Sequence, residues 1–442
     1  MMIKACLISI IFVLSVPVLS QELRVFSAVG GSKDNNYFSD GISDFKDAFT
    51  SMGVREKNQG LYFGGEDRDG RCISTYPDTH NGIPAENYRK LIANAKSCDD
   101  FLITRALQYL TGQYLVKNKD CSSLANESIK PASAESFLND LSKGSFNSGD
   151  TVYIHLADHG GDKSYGENDF IINMSNGDRI KSQDVASSVR KILKENVKVQ
   201  LSFDACYSGG FTDAIFKLKS DLKAEGINAG RLLCSTSSTE SMYAGYESDP
   251  LLKAGYSESY FKALKKYGNQ LSAVACASAA DSLNTPITTL DRFVAQGEQK
   301  LDLQSNKCFP DYYDEASLEL SSFLESVADI SLKVRIEALV EDFQHYFGDV
   351  MVECYDESET DQKIVKMIDQ CLPDDHQYAY LLKPFLKEAG NAKINDQKII
   401  ARQILAIRSI KDEKMLASYL DEFCCLAMPL EKNKPGPKSC NL

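Results

Sequence analysis

Two short motifs place a histidine and a cysteine next to glycines. His159 is followed by Gly160 and Gly161, directly after the apolar run Thr151–Ala157. Cys206 follows a second apolar run, Val197–Phe203, and precedes Ser-Gly-Gly. A thiol becomes a nucleophile when a neighbouring imidazole takes its proton. The two motifs therefore predict nucleophilic catalysis by Cys206 with His159 as the acid and base.

The glycine after the histidine has a separate use. Gly160 allows a substrate backbone to approach closely, because it has no side chain. Backbone N–H groups around Gly160 and Cys206 can stabilise the oxyanion that forms when a carbonyl is attacked. The sequence therefore predicts an oxyanion site at these two residues.

Strand-like and helix-like segments alternate over the first part of the chain. Predicted strands cover Leu23–Val29, Leu61–Phe63, Thr151–Ala157, Val197–Phe203 and Arg231–Thr236, and predicted helices cover Phe38–Met52, Pro84–Ala95 and Gln183–Leu193. This alternation predicts an α/β layer with a mostly parallel sheet flanked by helices. Since such sheets hold their sites outside the carboxyl ends of strands, the two motifs should meet in one crevice.

After about Pro310 the pattern becomes helical and strands are scarce. Helical periodicity covers Ala316–Ala328, Val334–Tyr346, Asp361–Ile368 and Gln397–Leu420. The sequence therefore predicts a signal peptide over 1–20, an α/β catalytic domain over 21–300 and an all-helical C-terminal domain over 310–442.

The N-terminus predicts secretion. Met1–Lys4 is basic, Ala5–Val18 is apolar, and small residues at Val18 and Ser20 suit cleavage before Gln21. No later stretch approaches the roughly 20 apolar residues of a membrane span. We expect a secreted, lysosomal or vacuolar protein (periplasmic in a bacterium), with disulfide bonds at most cysteines.

Composition excludes some partners. The 49 Lys and Arg against 62 Asp and Glu give a net charge of −13, so nucleic acid and anionic membranes are not expected partners. No pattern predicts a metal or another cofactor. The chain has 13 cysteines. Setting aside Cys6 in the signal peptide and Cys206 leaves an odd number, so a further thiol is expected, with Cys234 the candidate.

Cys206 and the other histidines also have structural interpretations. A single cysteine in a secreted protein is usually half of a disulfide, but the strand-end position beside a His-Gly motif favours a nucleophile. His155 lies within a strand and is interpreted as a packed core residue. His80, His345 and His376 have no matched partner and are interpreted as structural or surface residues.

These motifs resemble those of the legumain family of caspase-like cysteine peptidases. Gly82–Tyr88 and Thr239–Tyr246 are similar to two further segments of that family. The resemblance implies a caspase-like fold, protein or peptide substrates, and Asn35 as the residue that orients the histidine. It places Asp204, Ser235, Glu240 and Ser241 in the substrate pocket. Cys354, Cys371 and Tyr378–Leu381 resemble the helical prodomain that caps the site in the zymogen, so this chain's own C-terminal domain is a possible inhibitor. The alternative is a helical accessory domain with an unrelated role.

Specificity departs from the family pattern. The position of the family's pocket arginine is occupied by Tyr37, whereas Asp204 matches an acidic residue two before the nucleophile. A carboxylate without a basic partner attracts a cation. We therefore predict cleavage after Arg, Lys or Asn.

Three functions follow from the sequence. The first is a secreted cysteine endopeptidase, made as a zymogen that is cut near Gln304–Lys307. The second is a transpeptidase or ligase of the same family. The third is a non-catalytic binding module in which Cys206 forms a disulfide.

Overall fold

The structure is a computed structural model, which describes only part of the chain. The described residues are 21–30, 39–64, 90–100, 129–165, 168–174, 177–194, 196–227, 232–236, 256–280, 287–288, 290, 320–354, 363, 367, 370–371, 400, 403–404, 407, 410, 412–430 and 435–441. The predicted signal peptide lies outside these residues.

The described strands alternate with helices through residue 288. The strands are β1 Leu23–Val29, β2 Gln59–Phe63, β3 Ile129–Pro131, β4 Thr151–Ala157, β5 Gly160–Gly161, β6 Ile171–Asn173, β7 Arg179–Lys181, β8 Lys198–Asp204, β9 Leu232–Thr236 and β10 Ile287–Thr288. The helices are α1 Ser39–Ser51, α2 Ala134–Lys143, α3 Ser182–Leu193, α4 Gly209–Ala224, α5 Tyr256–Tyr267 and α6 Gln270–Ala280. After these come α7 Ile330–Phe343, a π-helical turn Gln344–Asp349, α8 Val350–Cys354, α9 Glu413–Ala427 and α10 Lys438–Asn441.

Within the described ranges, a seven-stranded sheet has the order β10-β9-β8-β4-β1-β2-β3. Its neighbouring strands are parallel except β9 and β10. A small antiparallel sheet, β5-β6-β7, begins at the two glycines of the His-Gly motif. The predicted β1, β4, β8 and β9 are confirmed to within one residue at each end.

Helices cover both faces of the large sheet. One face packs residues of α2, α3 and α4 against β4 and β8, including Phe137, Val189 and Phe211. The other face packs α1, α5 and α6 against β1 and β4, including Phe45 and Phe261. Near-continuous apolar strands are typical of a parallel sheet that is buried on both faces. The predicted fold class, a caspase-like, mostly parallel sheet flanked by helices, is confirmed.

The described part of the C-terminal region is helical, as predicted. Its core combines α7 and α9 around buried residues such as Ile336, Phe343 and Phe423. Asp329 begins α7 by accepting a hydrogen bond from the backbone N–H of Leu332 at 3.1 Å. The division into domains at residues 300–310 falls outside the described residues and stays a prediction.

Three disulfide bonds join described cysteines: Cys98–Cys371, Cys276–Cys354 and Cys424–Cys440. Such bonds agree with the oxidising compartment that the sequence predicts. None of the described helices is both long enough and apolar enough to cross a membrane.

Candidate active site

The His-Gly and Cys motifs leave neighbouring strands at the same edge of the sheet. β4 and β8 are parallel, and Ala157 at the end of β4 is paired with Asp204 at the end of β8. His159 and Cys206 each lie two residues beyond that pair. The backbone N–H of Asp158 donates to the carbonyl of Asp204 at 3.2 Å, which ties the two loops together. The predicted meeting of the motifs at one edge is confirmed.

The backbones of Gly160 and Cys206 are in close contact. A Cβ atom placed on Gly160 would lie 1.9 Å from the carbonyl oxygen of Cys206 and 3.1 Å from its nitrogen. Real Cβ atoms do not approach this closely, so the contact requires glycine. The residue after His159 therefore lies directly against the backbone of the cysteine, which brings the two predicted oxyanion residues together.

Cys206 lies in a tightly constrained turn. It is 5% exposed, and it packs with Tyr207 and Phe170. Tyr207 has a φ of 57°, a left-handed conformation that is uncommon for a residue other than glycine and costs free energy. This reversal lets α4 begin at Gly209, three residues after the cysteine.

His159 is exposed at this edge, and its backbone N–H donates to the Asp158 carboxylate at 2.5 Å. Neighbouring protein atoms displace part of the water around its ring, and this desolvation lowers the pKa of the imidazole. A neutral imidazole is the form that accepts a proton from a thiol. His159 is therefore suited to act as a base near neutral pH.

Asp158 is a buried carboxylate that sequence reasoning missed. It is 4% exposed and lies against Gly30 at the end of β1, where a Cβ atom would overlap the Asp158 side chain. Gly30 also donates its N–H to the carbonyl of Ala157 at 2.8 Å. Asp158 thus connects the loop that carries His159 to the end of the adjacent strand.

The His-Gly and Cys motifs lie in a segment that matches a known family model. Residues 141–273 match the model of the peptidase C13 family. This segment is similar to the peptidase C13 (legumain) family. The match covers both motifs and supports a legumain-like cysteine peptidase. No curated protein matches the chain.

A second carboxylate of the C13 segment lies at the same edge as the His-Gly and Cys motifs. The hydroxyl of Ser257, in the first turn of α5, donates to Asp204 Oδ2 at 2.5 Å. Ser257 is buried, whereas Asp204 is partly exposed. The sequence identified Asp204 but not Ser257, which lies 53 residues further along the chain. The start of α5 therefore contributes to the surroundings of the predicted pocket.

Other predicted site residues are not placed by the structure. Asn35, Glu240 and Ser241 lie outside the described residues. Ser235 lies on β9, where its backbone is in register with Ser202 of β8, but its side chain is not described. Their roles stay predictions.

Cys206 is a thiol that is not part of a disulfide bond. This contradicts the version of the binding-module hypothesis in which Cys206 forms a disulfide. Within the described chain, Cys425 on α9 is the other cysteine outside a disulfide. The sequence predicts Cys234 as the further thiol. The structure does not describe its side chain, so this stays a prediction.

The interpretation of His155 as a packed residue is confirmed. It is fully buried on β4, its Nδ1 lies 2.9 Å from Ser202 Oγ, and its ring stacks on Phe45 with centroids 5.9 Å apart. Burial lowers its pKa to about 3. His155 therefore stays neutral at physiological pH. It is a packed residue in the core of the C13 segment and not a candidate catalytic base.

Replacing His155 by phenylalanine is expected to reduce the acid sensitivity of folding. A histidine whose pKa is lower in the folded protein than its unfolded value of 6.5 contributes stability that is fully present above pH 6.5. That stability is lost at about 1.4 kcal/mol per pH unit as the pH falls towards 3. Between pH 7 and pH 4.5, wild type should lose about 3 kcal/mol that His155→Phe retains.

Urea unfolding at both pH values measures this difference. At pH 7 the variant should be less stable by about 1 kcal/mol, because the hydroxyl of Ser202 loses its partner. His345→Gln is the matched control, since His345 is exposed. Equal pH dependence in wild type and His155→Phe would contradict the prediction.

Proposed function

We propose that this protein is a secreted cysteine endopeptidase of the legumain type that hydrolyses peptide bonds with Cys206 and His159. The observation that carries the proposal is the backbone contact between Gly160 and Cys206 within the C13 segment. It brings a buried thiol and a histidine whose pKa is lowered to the same edge of the sheet. These are the two groups that thiol-dependent acyl transfer requires.

The proposed reaction has two stages. His159 accepts the proton of the Cys206 thiol, and the sulfur attacks the carbonyl carbon of the scissile bond. The N–H groups of Gly160 and Cys206 stabilise the tetrahedral oxyanion, and Asn35 orients the imidazole. His159 then gives its proton to the leaving amine, which leaves a thioester on Cys206. In the second stage a water molecule, deprotonated by His159, attacks the thioester and releases the carboxylate product and the thiol.

The proposed substrate pocket is built around Asp204, with Ser235, Glu240 and Ser241 as further members. Asp204 accepts a hydrogen bond from the hydroxyl of Ser257, which is a neutral group. A negative pocket binds the side chains of Arg and Lys, and a carboxylate also accepts a hydrogen bond from the amide of Asn.

Digestion of a mixed peptide library by the secreted protein, read by mass spectrometry, tests the proposal. Internal cuts after Arg, Lys or Asn are expected. Cuts mainly after apolar residues would refute the proposed specificity, and release of terminal residues alone would refute endopeptidase activity.

Replacing Asp204 by asparagine is expected to lower kcat/KM for peptides with Arg or Lys before the scissile bond by about 10- to 100-fold. The reason is that hydrogen bonds to a charged group contribute about 1.5–3 kcal/mol, and the cation would lose its charged partner. Cleavage after Asn should fall less, because the asparagine side chain still offers a hydrogen-bond acceptor. Asp184→Asn, at an exposed position of α3, is the matched control. Equal losses for cationic and Asn peptides would argue against a cation pocket at Asp204.

We further propose that the enzyme is made as a zymogen and acts in a lysosomal, vacuolar or extracellular compartment. Three observations support this: the signal-like residues 1–20, the described disulfides and the helical region after residue 320. The proposed domains are 21–300 and 310–442, and the proposed activation step is cleavage near Gln304–Lys307. Incubation at mildly acidic pH, followed by mass spectrometry and activity assay, tests this step. An uncut chain with full activity would remove the zymogen proposal.

A further inference from the structure

Two described contacts between the C-terminal helices and the α/β part lie at the edge opposite the His-Gly and Cys motifs. Lys198, which interacts electrostatically with Cys425 of α9, is the first residue of β8, whereas Asp204 at the other end of that strand leads to Cys206. The N–H of Leu430 donates to the carbonyl of Gly268 at 2.7 Å. Gly268 follows the end of α5, and the beginning of α5 contacts Asp204. Both contacts are therefore about one strand length from the nucleophile.

The same helices contact the C-terminal half of α4. Lys219 forms an ion pair with Glu422 of α9, and both side chains are largely buried, at 14% and 1% exposed. Lys223 donates to the hydroxyl of Ser418 at 3.0 Å. These lysines lie about 15 and 21 Å along a helix that begins at Gly209. A buried charge that loses its partner is strongly destabilising, so this pair opposes separation of α9 from α4.

The two parts also share one hydrophobic core. Leu271 of α6, Leu290 after β10 and the partly buried Phe216 of α4 pack in the same cluster as the residues of α7 and α9. The C-terminal cluster members include Leu332, Ile336, Leu339, Phe343, Leu416, Tyr419, Leu420 and Phe423. Separation of the C-terminal helices would expose this apolar surface to water, at about 25 cal/mol per Å².

Two disulfide bonds connect the parts covalently. Cys98 is joined to Cys371 and Cys276 to Cys354. A cut at any peptide bond between residues 277 and 353 leaves Cys98 and Cys276 on one fragment and Cys354 and Cys371 on the other. The proposed activation cleavage near Gln304–Lys307 lies within this interval.

We infer that the C-terminal helices are a permanent support of the α/β domain, and that cleavage after residue 300 produces a disulfide-linked two-chain protein. The described C-terminal helices then remain attached to α4, α6 and the start of β8 after the cut. Any activation by this cleavage proceeds without loss of the C-terminal fragment. The inference goes beyond the proposed peptidase function and does not depend on it.

A chain cut at a chosen position tests the inference. Gln304–Lys307 is replaced by the recognition sequence of a site-specific protease, in the otherwise wild-type chain and in Cys206→Ala, and the secreted proteins are cut to completion. We expect one species of full mass on a denaturing gel without reductant, and two fragments once reductant is added. Two fragments without reductant would overturn the inference. Because the cut is made by an added protease, Cys206→Ala should give the same result. The outcome therefore does not depend on whether the protein itself is a peptidase.

Two further measurements separate the covalent from the non-covalent attachment. Digestion without reductant should yield the linked peptide pairs Cys98–Cys371 and Cys276–Cys354, and recovery of these cysteines in other pairs or as alkylated thiols would contradict the structure. In native buffer with reductant, the two fragments should still elute together in size-exclusion chromatography, because the ion pair and the shared core remain. Separate elution there would show that the helices are tethered but not a support.

Discussion

Replacement of Cys206 by alanine is expected to lower kcat/KM for peptide hydrolysis by about 10⁴-fold or more. The alanine has no sulfur to form the thioester, and the remaining backbone N–H groups can stabilise an oxyanion but cannot start the reaction. Cys206 is buried and its side chain packs with Tyr207 and Phe170, so the loss of one sulfur atom should leave the fold intact. Initial rates on fluorogenic peptides with Arg, Lys or Asn before the scissile bond measure the effect.

Cys425→Ala is the matched control. Cys425 is a second thiol outside a disulfide, but it lies on α9 and interacts with Lys198 at the opposite edge of the sheet. Burial raises the pKa of Cys425, so its thiolate is scarce near neutral pH and it should react slowly with alkylating agents. The control should keep full activity.

Iodoacetamide labelling gives a readout that is independent of the substrate. Selective modification of Cys206 in wild type, with parallel loss of activity, is expected. An active Cys206→Ala protein would refute the assignment of the nucleophile. A wild-type Cys206 that alkylates no faster than Cys425 would favour the remaining form of the binding-module hypothesis, a caspase-like fold without catalysis.

The meeting of the His-Gly and Cys motifs could be predicted because each motif follows a clear strand pattern. Thr151–Ala157 and Lys198–Asp204 are apolar runs of strand length, and a parallel sheet places the ends of such strands at one edge. Short elements gave no such signal. β5, β6 and β7 have two or three residues each, too few to show a period of two, and the sequence did not predict them.

The remaining features of the site depend on contacts between distant residues. Ser257 donates to Asp204 only because α5 begins at the edge where β8 ends. The left-handed φ of Tyr207 could not be predicted from its residue type, because tyrosine does not favour that conformation. Helical periodicity predicted a C-terminal helical region, but periodicity carries no information about which edge of the sheet the helices contact.

Replacement of Gly160 by alanine is expected to lower kcat/KM by about 100-fold or more while the protein remains folded. The added Cβ would lie 1.9 Å from the carbonyl oxygen of Cys206, and the obstacle is backbone, which cannot rotate away as a flexible side chain can. The two loops must therefore move apart, and a displacement of about 1 Å at a reacting centre can cost roughly 10²-fold in rate. The oxyanion donors on Gly160 and Cys206 would be displaced by the same movement.

Gly177→Ala is the control, because the Cβ atom of an alanine would clash with backbone at position 160 but not at position 177. At Gly177 a Cβ atom would have no neighbour within 4 Å, but the φ of 78° disfavours alanine. That variant should lose about 1–2 kcal/mol of stability and keep its activity. Thermal unfolding and peptide hydrolysis, measured on both variants, separate the two effects. Full activity in a folded Gly160→Ala protein would mean that the His-Gly loop and the cysteine loop work without their contact, and the proposed oxyanion site would have to be abandoned.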